Sequence, residues 1–106
     1  MDDVFRALAD ASRRQLLDRL FTQPGQTLGE LCQGLEMSRQ AVSKHLAILA
    51  EANLVATVRR GREKLHYLNP VPIHEIAGRW IGKYQRAPLS ALATLKTQLE
   101  EEKDDQ

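Results

Sequence analysis

Two short stretches concentrate the side chains able to do chemistry. Ser38, Arg39, Gln40, Ser43 and Lys44 place hydroxyl, guanidinium, amide and ammonium groups within seven positions. Arg59, Arg60, Arg62 and Lys64 place four cations within six. Such groups suit a DNA duplex. Arg and Lys donate to guanine acceptors, Gln bonds adenine bidentately, and Ser bonds bases or phosphates. Clustered arginines neutralise phosphates or enter a narrow minor groove.

The elements that must position these groups are legible in the periodicity. Val4, Phe5, Leu8 and Ala9 recur at helical spacing and predict a short first helix. Asp10 is placed to cap a second helix with an apolar face of Leu16, Leu17, Leu20 and Phe21. Gln23-Pro24-Gly25-Gln26 is a turn. Thr27-Leu28-Gly29-Glu30 has the spacing of a capping box opening a third helix, with Leu28, Leu31, Cys32 and Leu35, that ends between Gly34 and Met37. Ser38 caps a fourth helix running to Asn53. Val42, Leu46 and Leu49 form one of its faces, and Arg39, Gln40, Ser43, Lys44, Ala47 and Glu51 form the other. Two short helices joined by a turn of about three or four residues, the second polar in its N-terminal half, form a helix-turn-helix.

From Leu54 onward the composition turns β-prone. Leu54 to Val58 and Leu65 to Leu68 flank Arg59-Arg60-Gly61-Arg62-Glu63-Lys64, a hairpin with glycine at or near its tip. After Asn69-Pro70-Val71-Pro72 a long helical pattern follows through Ile73, Ile76, Ala77, Trp80, Ile81, Tyr84, Leu92, Leu95 and Leu99, interrupted by Pro88. The expected fold is mainly α with a small β-hairpin, a winged helix-turn-helix. The expected organisation is one domain over 1–106: a helix-turn-helix at about 27–53, a wing at about 54–69 and a C-terminal helix at about 71–103.

The 106 residues carry a formal net charge of only +1, which at face value argues against a polyanionic partner. The average hides a cancellation. Residues 38–66 carry +4 and residues 98–106 carry −4, with −2 over 1–37 and +3 over 67–97. The basic excess therefore lies on the fourth helix and the hairpin, the two elements that face the duplex in a winged helix-turn-helix.

Other classes fall on inventory. The longest apolar run, Leu46 to Ala50, is five residues, against about 20 for a membrane span. Met1-Asp2-Asp3 does not open a signal peptide, and a single cysteine, Cys32, fits a reducing cytosol. A cytoplasmic location is expected. Five aromatic residues are too few for a base-stacking platform. No nucleophile has a base near it in sequence, so an enzyme is not expected.

The stretches Leu8-Ala9-Asp10-Ala11-Ser12-Arg13-Arg14-Gln15-Leu16-Leu17, Thr27 to Cys32, Ser38-Arg39-Gln40-Ala41-Val42-Ser43-Lys44-His45-Leu46 and Leu49 to Val55 together resemble the ArsR family of winged helix-turn-helix transcriptional repressors. Gly61-Arg62 followed by Leu65-His66-Tyr67-Leu68 resembles the family's wing. The resemblance covers roughly residues 4–85. It implies a homodimeric repressor of an inverted-repeat operator, often in its own promoter. It also implies that the first and last helices pack across a two-fold axis, through Phe5 and Leu8 and through Trp80, Tyr84, Leu92, Leu95 and Leu99. That apolar stripe could alternatively pack within one subunit. The expected DNA-facing set is Thr27, Ser38, Arg39, Gln40, Ser43, Lys44, His45, Arg59, Arg60, Arg62 and Lys64.

Two metal sites of the family lack ligands here, and no cofactor is expected. Glu30-Leu31-Cys32 matches one motif, but Gly34 stands where its second cysteine would be. A soft-metal site needs three or four ligands; Cys32 reads more simply as a small hydrophobe. The last helix offers only His74 and Glu75 for the other. His45 and His66 read as packing or DNA-contacting imidazoles. Two further departures are Glu36 at a turn position the family often gives to glycine, and Pro88. The alternatives are a metal-responsive repressor of the same fold and a winged-helix module that binds protein. Only the DNA readings require a strong dependence on salt and on the Ser38–Lys44 face.

Overall fold

The computed structural model describes residues 1–85 and 89–104. Helices α1 (Asp2–Leu8), α2 (Ala11–Thr22), α3 (Leu28–Cys32) and α4 (Arg39–Glu51) precede a hairpin of β1 (Val55–Arg60) and β2 (Glu63–Leu68). Then follow α5 (Val71–Ile76), a π-helical turn (Ala77–Ile81), α6 (Gly82–Gln85) and α7 (Leu89–Asp104). Helical structure therefore covers most of the stretch 71–103, with a π segment within it; Pro88 lies outside the described residues. The chain divides into two compact units, residues 1–74 and 75–106.

Local capping fixes where α2, α3 and α4 start. The Asp10 carboxylate accepts from the Arg13 backbone N–H at 3.1 Å, and this bond is the main cause that holds its pKa below the usual carboxylate value. The Thr27 hydroxyl accepts from Glu30 N at 3.2 Å, and the Glu30 carboxylate reaches back to Thr27, completing the capping box. Ser38 Oγ accepts from Ala41 N at 3.1 Å. Each cap satisfies a helix-start N–H that has no intrahelical partner. At the other end of α4, Asn53 takes the left-handed conformation (φ 63°), one that Asn tolerates better than most residues.

The core is aliphatic. Leu16, Leu17 and Leu20 of α2, Leu31 of α3, Val42, Leu46 and Leu49 of α4, and Leu54 and Val55 at the hairpin's start are buried, together with Val4 and Ala7 of α1. One position of the expected apolar faces differs. Phe21 is 76% exposed because it sits at the edge of the α2 stripe, in the last turn before the chain leaves for Gln23. On α1 the buried pair is Val4 and Ala7, while Phe5 is exposed and Leu8 half-buried.

The turn between α3 and α4 spans residues 33–38, longer than the three or four residues expected from sequence, because α3 stops at Cys32. Its left-handed residue is Gly34 (φ 77°), and Glu36 needs no positive φ. The glycine of this turn therefore stands two positions earlier than the family pattern suggested. In the hairpin, β1 and β2 pair from Val55↔Leu68 to Arg60↔Glu63. The two-residue loop is Gly61-Arg62, with φ +64° at Gly61 only. Positive φ at the first loop residue alone is the type II′ pattern, and it favours glycine there.

Candidate nucleic-acid interface

On a helix, successive side chains turn by about 100°, so Arg39, Gln40, Ser43, Lys44 and Ala47 fall on one side of α4. All five are exposed. Val42, Leu46 and Leu49 point the other way and are buried against the core, which fixes the rotation of the helix. His45 shares their side. Its Nδ1 lies 3.4 Å from Arg13 Nη1. The structure thus places His45, which was expected in the DNA-facing set, half-buried on the packing side of α4 and away from the polar face.

The hairpin register sorts its cations. Directly opposed residues of an antiparallel pair share a face, so Arg59 and Lys64 stand with Thr57 and His66. Arg60 stands on the other face with Glu63, beside Val58 and Leu65. The expected cluster of four cations is therefore split, and Arg60 is not brought to the side of the others. Arg59 and Lys64 are like charges directly across the ladder, an arrangement that disfavours the hairpin unless an anion lies between them.

A groove of about 540 Å³ runs between α3, α4 and the hairpin, with Thr27, Arg39, Ser43, Arg62, Lys64 and His66 among its lining. A second depression along α4 gathers Ser38, Arg39, Gln40, Ser43 and Lys44. Two of the hydroxyls are partly committed: Ser38 to its cap, and Thr27 to Glu30 as both acceptor and donor. The one ion pair among the described residues is Arg13–Asp10 at 3.9 Å. Arg39, Lys44, Arg59, Arg62 and Lys64 consequently have no ionic partner among the described residues.

Sequence reasoning missed what holds the hairpin to this groove. Gln26 is buried, 4% exposed, and bridges to His66 as a short extension of the sheet. Gly25 N donates to the His66 carbonyl at 2.9 Å, and His66 N donates to the Gln26 carbonyl at 2.8 Å. The ring closes the latch: Nδ1–H of His66 donates to the same Gln26 oxygen at 2.9 Å. That carbonyl acceptor places the ring proton on Nδ1.

The arginines of α2 have internal duties. Arg13 Nε donates to the Ala7 carbonyl at 2.8 Å, and Nη2 to the Arg6 carbonyl at 3.0 Å. Arg14 Nη1 donates to the Leu8 carbonyl and Arg19 Nη1 to the Leu31 carbonyl, at 2.6 and 2.8 Å. They add donors to carbonyls at the C-terminal ends of α1 and α3, where intrahelical partners run out; the Arg6 carbonyl also accepts from Ala9 N at 3.2 Å.

The comparisons with known proteins agree with this geometry. A family model described as a helix-turn-helix domain matches residues 8–58. An uncharacterised HTH-type transcriptional regulator of Bacillus subtilis, YuzN, is 36% identical over 86 residues, covering 76% of this chain and 94% of the relative. The solved ArsR-like transcriptional regulator from Rhodococcus sp. RHA1 superposes with a TM-score of 0.73 at 31% identity, over 94% of this chain and 90% of that one. The chain belongs to the ArsR family. The transcriptional repressor SdpR of Bacillus subtilis is 31% identical over 75 residues, 71% of this chain and 82% of the relative.

As an ArsR-family member the chain is a DNA-binding transcriptional regulator of winged helix-turn-helix fold, and this family's members are not enzymes. Among the described residues no helix is long and apolar enough to cross a membrane, and no three His, Cys, Asp or Glu side chains gather as a metal group. Cys32 is half-buried and unpaired. In the second unit, Trp80 and Tyr84 stack with ring centroids 6.1 Å apart. Leu92, Leu95 and Leu99 are exposed along α7.

Proposed function

We propose that this protein is a homodimeric repressor that reads an inverted-repeat operator, including one in its own promoter. The observation that carries the reading is the polar, exposed arc of α4 continuing into a basic hairpin across one groove, with no ionic partner for its cations among the described residues. The N-terminal half of α4 enters the major groove, where Arg39, Gln40 and Lys44 reach base edges. Arg59, Arg62 and Lys64 follow the phosphate backbone into the neighbouring minor groove. Ser43 and Thr27 border the same path.

The division of labour is tested by substitution. Gln40→Ala or Arg39→Ala is expected to weaken the preferred duplex by about 1–3 kcal/mol and to relax base preference. Arg59→Ala and Lys64→Ala are expected to weaken all duplexes alike. Arg60→Ala, on the outer face, is expected to change affinity less than either. Binding of each variant to preferred and scrambled duplexes decides the assignment; an Arg60→Ala loss larger than the Arg59→Ala loss would reverse the hairpin's orientation.

Dimerisation is proposed through Phe5, Leu8, Trp80, Tyr84, Leu92, Leu95 and Leu99. One copy covers one half-site, and two-fold duplication supplies the second. Trp80 is 48% exposed, and three leucines at i, i+3 and i+7 leave α7 with an uncovered apolar stripe. Trp80→Ala is expected to shift the chain towards monomer in sedimentation and to lower operator affinity. An unchanged dimer would remove Trp80 from the interface.

A further inference from the structure

The groove between α3, α4 and the hairpin has a property that a phosphate backbone does not use. Its volume of about 540 Å³ falls inside the range of roughly 300–1,000 Å³ typical of small-molecule sites. Leu28, Leu46, Ala47 and Ala50 give it an apolar floor, while Arg39, Arg62 and Lys64, cations that lack ionic partners among the described residues, outnumber the one carboxylate in its lining, Glu63. Ala47 and Ala50 are exposed, so part of that floor stands open to water. A phosphodiester, polar along its edges, gains from the cations but little from the floor. A ligand with one anionic group and an apolar body gains from both, through charge-assisted hydrogen bonds and burial of apolar surface.

We infer that this groove binds a small anionic amphiphile, a free carboxylic acid with an apolar body of medium-chain length, which competes with DNA. The competition rests on the reading of this face as the DNA surface. Arg39 and Ser43 line both the groove and the adjoining depression that holds Gln40 and Lys44. A carboxylate held by Arg39 therefore occupies part of the surface that the duplex requires. By mass action, ligand at ten times its own Kd raises the apparent Kd for DNA about tenfold. Such a ligand is an inducer.

The probe is octanoate, used below its micellar concentration, with octan-1-ol as its uncharged counterpart. Amide chemical shifts of the whole protein locate binding, and fluorescence anisotropy of a labelled duplex, recovered from a random pool by binding to this protein, reports displacement. Saturable shifts at Ala47, Ala50 and Arg62 are expected, with at least tenfold weaker binding of octan-1-ol and release of the duplex. Ala50→Leu fills the floor from an exposed position outside the proposed DNA contacts. It is expected to weaken octanoate at least tenfold while duplex affinity stays within threefold and the thermal melt is retained. Absence of groove shifts, equal binding of the alcohol, or full octanoate affinity in a folded Ala50→Leu protein would overturn the site. Octanoate bound in the groove with the duplex still in place would overturn the competition. Failure of the natural chain to bind any duplex at low salt would instead defeat the DNA reading, and the chemical shifts would still decide the site.

Discussion

Raising the salt from 50 to 200 mM is expected to lower the affinity of this protein for duplex DNA by about a thousandfold or more. The magnitude follows from counterion release. Each phosphate neutralised contributes about −0.9 to the slope of log affinity against log salt, and six to ten contacts give losses of about 10³ to 10⁵ over that interval. The structure supplies the cations. Arg39, Lys44, Arg59, Arg62 and Lys64 are all exposed, and none is in an ion pair among the described residues. A proposed dimer doubles that set. The overall charge of +1 would give almost no long-range attraction, so a steep slope reports local placement rather than net charge. Arg59→Ala should remove about one phosphate per subunit, and the slope should become shallower by about two per dimer. A slope near zero in the natural protein, measured by titration at several salt concentrations, would mean that these cations do not meet phosphate.

The second large effect is on stability. Leu49→Ala is expected to cost about 2–5 kcal/mol of folding free energy, because the removed side chain leaves a cavity that its neighbours fill only in part. Leu49 is 0% exposed, and its carbonyl accepts from Leu54 N at 2.9 Å, where α4 hands over to the hairpin. Domains of this size are stable by only about 5–15 kcal/mol, so the loss takes a large share of the total. Denaturant unfolding measures it. The adjacent Ala50, exposed on the other side of the same turn, should tolerate substitution with little change. A cost for Leu49→Ala below about 1 kcal/mol would show that α4 is not seated on the core by this residue. With the protein still folded, base preference should be unchanged, since Leu49 lies opposite the reading side chains.

The features legible in the sequence were those written within one turn of helix. Asp10 with Arg13, Thr27 with Glu30, and Ser38 with Ala41 are i, i+3 relations, so cap and partner appear together in a short window. Gly61 marks the hairpin loop for the same reason. The face of α4 was legible because Val42, Leu46 and Leu49 repeat at the helical period. His45 shows how residue type can mislead: its polarity groups it with Lys44, whereas its spacing puts it with Leu49 four residues on. Phe21 fails differently. It extends an apolar stripe past the point where α2 has core to cover.

The hidden features join residues that are distant in sequence. The Gln26–His66 latch closes a gap of 40 residues, and nothing local to either residue announces it. The roles of Arg13, Arg14 and Arg19 were equally obscure. As charges they look like solvated surface, but as donors they bond carbonyls of α1 and α3. The split of the hairpin cations needed the register, because moving the pairing by one residue exchanges the two faces.

Selection of bound duplexes from a random pool tests the central claim most directly. Expected is enrichment of an inverted repeat whose half-sites lie about one helical turn, 10–10.5 base pairs, or a multiple of it apart, with the enrichment lost in Gln40→Ala protein. Recovery of no preferred sequence, or of an asymmetric site still selected after Gln40→Ala, would contradict a dimer that reads DNA through α4.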